Sequence, residues 1–322
     1  MPRHGGAFTV TVHVHGTLLG VKDVAEAAIA WYDKFARDLP WRDRDAKPWG
    51  ILVSEIMLQQ TPVNRVLPAW NDWMRRWPTP AALAVDRPAE AIRMWGRLGY
   101  PRRALRLHTC AVALVEHHDG EVPSSVAELL ALPGIGTYTA NAVAAFAFGQ
   151  RQPVVDTNVR RFVARAVTGQ ADGGAATTPA DLRAVEALLP SAERIAARAS
   201  AAFMEIGALI CTARTPNCTQ CPLWSRCAWR ANGFPPSTDP PRRPQGYAGT
   251  DRQIRGALMA VLREASGPVG RAQLDLAWPE AERRETALTS LIVDGLAVEV
   301  RPGYIALAGD VELADDVEPV DA

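Results

Sequence analysis

Four crowded cysteines, two spaced carboxylates and one glycine-rich loop are the parts of this chain whose residue types could do chemistry. The cysteines stand in "CTARTPNCTQCPLWSRC": Cys211, six residues, Cys218, two residues, Cys221, five residues, Cys227. Spacing alone says four thiolates around one centre, compatible with zinc or an iron–sulfur cluster. A fifth cysteine, Cys110, stands alone and reads as a buried thiol.

The loop is "LPGIGTY", residues 132–138. Apolar–Pro–Gly–apolar–Gly lets the backbone turn tightly and leaves N–H groups free at a helix N-terminus, where they and the helix dipole can hold a phosphate oxygen. A plain turn between two helices is the simpler reading. Leu132, Gly134, Gly136 and Thr137 are its candidate DNA-binding residues. Eighteen residues after Tyr138, Asp156 in "PVVDTNVRRFVAR" closes an extended piece and opens a helix. It reads as an N-cap carboxylate and, beside a backbone-binding loop, as a group placed where a reacting sugar could sit. Arg160, Arg161 and Arg165 read as phosphate contacts or as a solvated helix face. Glu55 lies among apolar neighbours in "WGILVSEIMLQQ", where a buried, satisfied glutamate is the plain alternative to a catalytic one.

The elements that must position these residues are helices. Val24, Ala28, Trp31 and Phe35 fall at helical spacing behind Asp23 as N-cap. Thr61 and Pro62 open one helix, a Ser125/Glu128 capping box another, and Thr178 with Pro179 a third. "TYTANAVAAFAF" is a helix rich in alanine, suited to close packing. The Pro/Gly-rich stretch "GFPPSTDPPRRPQGYAGT" reads as a linker. Beyond it come three short helices, with Gly295 ending the last, and the hairpin "LAVEV"–"RPG"–"YIAL". That pattern predicts a small winged-helix-like domain, which could contact DNA or only protein.

The loop, the aspartate at this distance and the four cysteines together resemble the endonuclease III (helix-hairpin-helix) superfamily of DNA glycosylases. Within it, "RDLPWR" (37–42), "SEIMLQQT" (54–61) and "GRLGY" (96–100) are most similar to adenine DNA glycosylases of the MutY type. The resemblance spans roughly residues 30–230. It implies an all-α glycosylase fold with a six-helix barrel lobe and an iron–sulfur lobe. The expected segments are a flexible arm (1–22), the cluster lobe (23–46 and 158–231), the barrel lobe (47–157), a linker (232–251), the winged-helix-like domain (252–309) and a disordered acidic tail (310–322).

The resemblance also implies roles. Adenine mispaired with 8-oxoguanine or guanine would be excised by hydrolysis. Glu55, raised in pKa by its apolar site, would protonate adenine at N7, because a purine leaves its sugar poorly as an anion. Asp156, ionised, would stabilise the oxocarbenium-like sugar or attack it transiently, and Asn158 would hold that carboxylate. Gln60 matches positions that probe the base stack. Tyr138 stands where relatives with lyase activity carry a Schiff-base lysine, which implies a monofunctional enzyme. Cys211, Cys218, Cys221 and Cys227 would hold a 4Fe–4S cluster ordering a loop whose Arg214 approaches DNA. Two departures stand out: Pro101 follows Tyr100 where a second tyrosine is usual, and no Nudix-like module follows the linker. Thymine or uracil excision at G·T or G·U pairs is the nearest alternative, and a non-enzymatic iron–sulfur DNA-binding protein a remoter one.

The bulk properties fit these expectations. Net charge is zero, but the stretch after Gly309 carries six acidic residues and no basic one; without them 35 basic residues face 29 acidic ones. That balance permits a duplex DNA partner carrying a mismatch or lesion. No stretch has the length and purity of a membrane span, and the first residues lack the apolar run of a secretory signal. A cytoplasmic, nucleoid-associated monomer is expected.

Overall fold

The computed structural model describes residues 21–237 and 246–310. The arm over 1–20, part of the linker and the acidic residues after 310 lie outside them. In chain order the helices are α1 (Val21–Phe35), α2 (Pro48–Leu58), α3 (Val63–Arg76), α4 (Pro80–Ala84), α5 (Pro88–Trp95), α6 (Arg102–His117), α7 (Val126–Ala131), α8 (Thr137–Phe148) and α9 (Thr157–Val163), which runs on into a π-helical turn (Ala164–Thr168). Then come α10 (Pro179–Leu188), α11 (Glu193–Leu209), α12 (Ala228–Ala231), α13 (Asp251–Glu264), α14 (Arg271–Asp275) and α15 (Ala281–Val293). Three strands belong to the C-terminal part: β1 (Val269–Gly270), β2 (Ala297–Arg301) and β3 (Tyr304–Leu307).

The chain divides into two compact units, 1–46 with 137–241 and 47–136 with 242–322. The segment expected as one barrel lobe, 47–157, is thus parted at Gly136/Thr137, and 137–157 groups with the cysteine-bearing part.

In the first unit, α1, α9 and α11 share a core built from Val24, Ala28 and Trp31, from Val159 and Phe162, and from Phe203 and Ile206. Phe162 stacks on Phe203 with ring centroids 5.4 Å apart. Small residues let α11 approach closely. A Cβ on Gly207 would lie 2.5 Å from the Asn158 carbonyl oxygen, so only glycine admits α9 there. Thr178 and Pro179 open α10 as expected, and Thr178 caps it through a capping box whose return partner is Asp181. Asp23 is not an N-cap: α1 begins two residues earlier, which leaves Asp23 in the first turn, where it still favours the positive end of the helix.

In the second unit, α2 is buried along nearly its whole length, as a helix apolar on every side must be. Trp73 packs edge-on against Trp77 and Trp95 at 4.6 and 5.8 Å. Two expected caps are absent. Ser125 precedes α7 without a side-chain cap bond. Thr61 does not cap α3, whose N-cap is Pro62. Its hydroxyl is drawn instead to Leu98 O at 3.3 Å and to the Arg103 guanidinium at 3.0 Å, a charged donor that outcompetes a backbone amide.

The three helices and the hairpin expected after the linker form, with one strand more. The antiparallel order is β1-β3-β2, and the register shifts between Glu299 and Arg301. Its core, including Ile254, Leu258, Leu288 and Ile305, also contains Ala89 and Ile92 of α5. Asp310 fixes this junction, since Arg93 donates to both of its carboxylate oxygens at 2.9 and 2.6 Å. Gly309, at φ +75°, lies against Pro88, where a Cβ would come within 2.9 Å.

Candidate active site and cysteine cluster

Asp156 is the N-cap of α9 and accepts from the Val159 amide at 2.7 Å. Its other oxygen accepts from Asn158 Nδ2 at 2.7 Å. Burial, the largest influence, raises this carboxyl above its ordinary value, while the Val159 and Asn158 donors and the Arg161 charge pull the other way. The N-cap and site readings are therefore one arrangement: the bond that starts α9 also fixes one carboxylate oxygen.

Asn158 is oriented in turn by Arg161. Nη2 of Arg161 donates to Asn158 Oδ1 at 2.9 Å and to Gly207 O at 2.6 Å, and Nε donates to Cys211 O at 2.6 Å. Arg160, Arg161 and Arg165 are all buried, so they form neither a phosphate-binding row nor a solvated face. Arg165 donates to Thr212 O and Ala213 O at 2.7 and 3.1 Å, approaches Cys211 Sγ at 3.7 Å, and lies 4.4 Å from the Trp229 ring centroid. The sequence held one signal for this: the arginines are interleaved with the apolar residues of "VRRFVARAV".

All four expected cysteines line a single cavity, together with Arg165, Trp224, Trp229 and Arg230. None is in a disulfide. Burial pushes the Cys221 thiol up to about 12 and raises those of Cys211 and Cys218. Thiols so placed stay protonated until a metal displaces the proton. Among the described residues no group of three or more His, Cys, Asp or Glu is placed to hold a single metal ion. Four separate thiols around a cavity, with a guanidinium beside one of them, suit a multi-iron cluster of net negative charge. Arg214 is exposed on the loop between Cys211 and Cys218.

Tyr138 is half-buried near the start of α8, packed against Ala142, Ala145, Val154 and Ala197. Thr137 is exposed at the first position of that helix. Glu55 belongs to the second unit, buried in the last turns of α2. Gln60 follows that helix, exposed and left-handed at φ 56°. In the 132–136 loop, Leu132 and Ile135 are buried while Gly134 and Gly136 are exposed. Gly134 has φ +80° and the Arg106 side chain against it; a Cβ would meet Arg106 at 2.9 Å. Pro101 is the N-cap of α6, with helical backbone angles, which leaves Tyr100, half-exposed at φ 50°, as the accessible aromatic of that turn. Among the described residues no helix is long and apolar enough to cross a membrane.

Residues 53–187 match the HhH-GPD superfamily of base excision DNA repair proteins. The chain is 56% identical over 284 residues to the adenine DNA glycosylase of Mycobacterium tuberculosis, covering 88% of this chain and 92% of that one. It is equally 56% identical to the Mycolicibacterium smegmatis adenine DNA glycosylase, covering 88% and 96%. Among solved structures it is similar to a thermostable thymine-DNA glycosylase, with TM-score 0.58 and 25% identity over 65% of this chain and 95% of that one. An endonuclease III trapped as a covalent DNA intermediate shares the fold, with TM-score 0.55 at 21% identity over 66% and 96%. With a helical glycosylase fold, a carboxylate held at a helix start and relatives of this closeness over nearly the whole chain, the protein belongs to the adenine DNA glycosylases of the helix-hairpin-helix base-excision-repair superfamily.

Proposed function

We propose that this chain hydrolyses the N-glycosidic bond of adenine mispaired with 8-oxoguanine or guanine and leaves the DNA strand whole. The observation that carries the reading is the Asp156 carboxylate, buried at the start of α9 and held through both oxygens by Asn158 and Val159. A carboxylate fixed in this way needs no reorganisation as positive charge develops on the sugar.

Glu55 acts as general acid, delivering a proton to adenine N7 so that the base departs neutral. Asp156, ionised, then stabilises the oxocarbenium-like sugar or bonds to it transiently, and water completes the hydrolysis. Tyr138 has a phenol where a Schiff base needs an amine, so the sugar–phosphate strand is not cut. Backbone donors at Gly134, Gly136 and Thr137 hold a phosphate, with buried Leu132, whose own amide donates to Leu129 O at 3.2 Å, anchoring the loop from beneath. Gln60 probes the base stack, and Arg214 approaches the duplex. The adenine is flipped out of the stack, which costs least at a mismatch.

Cys211, Cys218, Cys221 and Cys227 hold a 4Fe–4S cluster. Its contribution when bound is to order the loop carrying Arg214. The protein acts as a cytoplasmic, nucleoid-associated monomer with a cluster lobe, a barrel lobe and a winged-helix-like part. Thymine or uracil removal at G·T or G·U pairs is the second reading, favoured by the likeness to a thymine-DNA glycosylase.

Single-turnover assays separate these readings, using duplexes with A opposite 8-oxoguanine, A opposite G, and T or U opposite G, each read with and without hot alkali. Adenine loss revealed only by alkali is expected. No adenine loss from any duplex would overturn the proposal, and strand breaks without alkali would overturn its monofunctional part.

A further inference from the structure

Arg103, near the start of α6, is a buried cation whose partners are neutral. Nη1 donates to the carbonyls of Ile56, Met57 and Gln59 at 2.9, 3.0 and 2.6 Å. Nη2 donates to Thr61 Oγ1 at 3.0 Å and Gly99 O at 2.9 Å. The guanidinium also lies 5.1 Å from the Trp95 ring centroid and 5.5 Å from that of Tyr100. Burial lowers its pKa to about 10, so it stays charged at neutral pH. The α2 carbonyls form the negative end of that helix, which offsets part of the cost of burying the charge.

The two turns that share this guanidinium each hold a strained residue. Gln60 has φ 56° and Tyr100 φ 50°, in the left-handed region that is unfavourable for non-glycine residues. Both side chains are largely exposed, and the Tyr100 ring rests on the Arg103 guanidinium itself, so burial of the strained residue's own side chain holds neither conformation. Strain of this kind persists only where the surroundings over-determine it, and it gathers where geometry matters to function.

We propose that Arg103 is a positioning residue that locks the Gln59–Thr61 and Gly99–Pro101 turns into one rigid, two-pronged element, fixing Gln60 and Tyr100 relative to each other before a duplex arrives. This rests on the reading of the chain as a DNA glycosylase. One prong presents an amide and the other an aromatic face, the two chemistries that a base edge and a base plane accept. The fork is essential: one nitrogen serves α2 and the other spans Thr61 and Gly99. A lysine supplies a charge at the helix end but no planar bridge between the turns.

The test compares wild type with Arg103→Met and Arg103→Lys. Amide hydrogen exchange is followed on the free proteins, and extrusion by the fluorescence of 2-aminopurine in the target position opposite 8-oxoguanine. In both variants residues 59–61 and 98–100 are expected to lose protection together. The fluorescence rise should slow by about 100-fold, the order expected from an ångström-scale misplacement, while affinity for undamaged duplex stays within about twofold. Arg103→Lys should recover melting temperature without recovering extrusion; a helix-end charge alone would recover both. If Arg103→Met does not fold, Arg103→Lys carries the test. Wild-type extrusion in Arg103→Lys, or turns that lose protection independently, would overturn the proposal. A wild type that excises no adenine counts against the glycosylase reading instead, and the exchange data then decide the lock by themselves.

Discussion

Asn158 bonds Asp156 through its amide nitrogen at 2.7 Å while its own oxygen is held by Arg161 at 2.9 Å, so the amide cannot turn over without losing both contacts. The carboxylate is thereby oriented by a side chain whose donor and acceptor ends are each assigned.

Asp156→Asn is expected to abolish excision and to raise melting temperature at neutral pH. Because burial raises the folded-state pKa, the fold prefers the protonated carboxyl. That preference contributes stability below the unfolded carboxylate value of ~3.9 and is lost as pH rises through the raised value. The variant escapes the loss, so its advantage should be present at pH 7 and close on acidification. Calorimetry across pH checks this; an advantage that widened in acid would contradict it.

Gly207→Ala places a methyl group 2.5 Å from the carbonyl oxygen of Asn158. Overpacking of this sort costs about 1–3 kcal/mol. The push falls on the residue that holds Asp156, so single-turnover excision should drop more than the loss of folded protein explains. Equal losses in denaturant titration and in rate would disconnect α11 from the carboxylate.

Glu205, fully buried, accepts from Arg37 Nη2 at 2.7 Å and Arg42 Nη2 at 2.8 Å. Burial alone would raise its pKa, but the two arginines hold it at about 2. A depressed carboxylate contributes stability above its unfolded value of ~4.3 that is lost as pH falls toward the folded one. Glu205→Gln should cost about 3–5 kcal/mol at neutral pH by stranding two arginines. Urea melts between these two pH values should then be flatter for the variant than for wild type.

Removing the cluster tests the cysteine assignment. Purified protein should be brown and carry four irons per chain, and Cys221→Ser should lose both. Arg165→Met, which removes the donor beside Cys211 Sγ, should lose iron faster under oxidation than wild type. Colourless protein with one zinc per chain would contradict the assignment.

The features legible in the sequence were mostly local. Asp156 as a cap, Thr178 with Pro179 as a helix start and the four thiols around one centre each depend on a few neighbouring residues. Thr61 and Ser125 looked like equally good caps, yet Thr61 is captured by an arginine 42 positions away, a competition no local pattern reveals. Arg161 was hidden because an arginine on a helix reads as solvated until α11 is known to cover it. Nothing local to Ala89 and Ile92 signals that their partners lie beyond the linker.

That last pairing bears on how the protein can be cut. A Pro/Gly-rich joint invites truncation, on the view that the C-terminal part is a separable accessory. Here the joint separates two stretches of chain that complete one hydrophobic interior, with Asp310 as its clasp. Trimming at the joint would bare an oily scar on α5, so a shortened enzyme should aggregate for reasons unrelated to DNA.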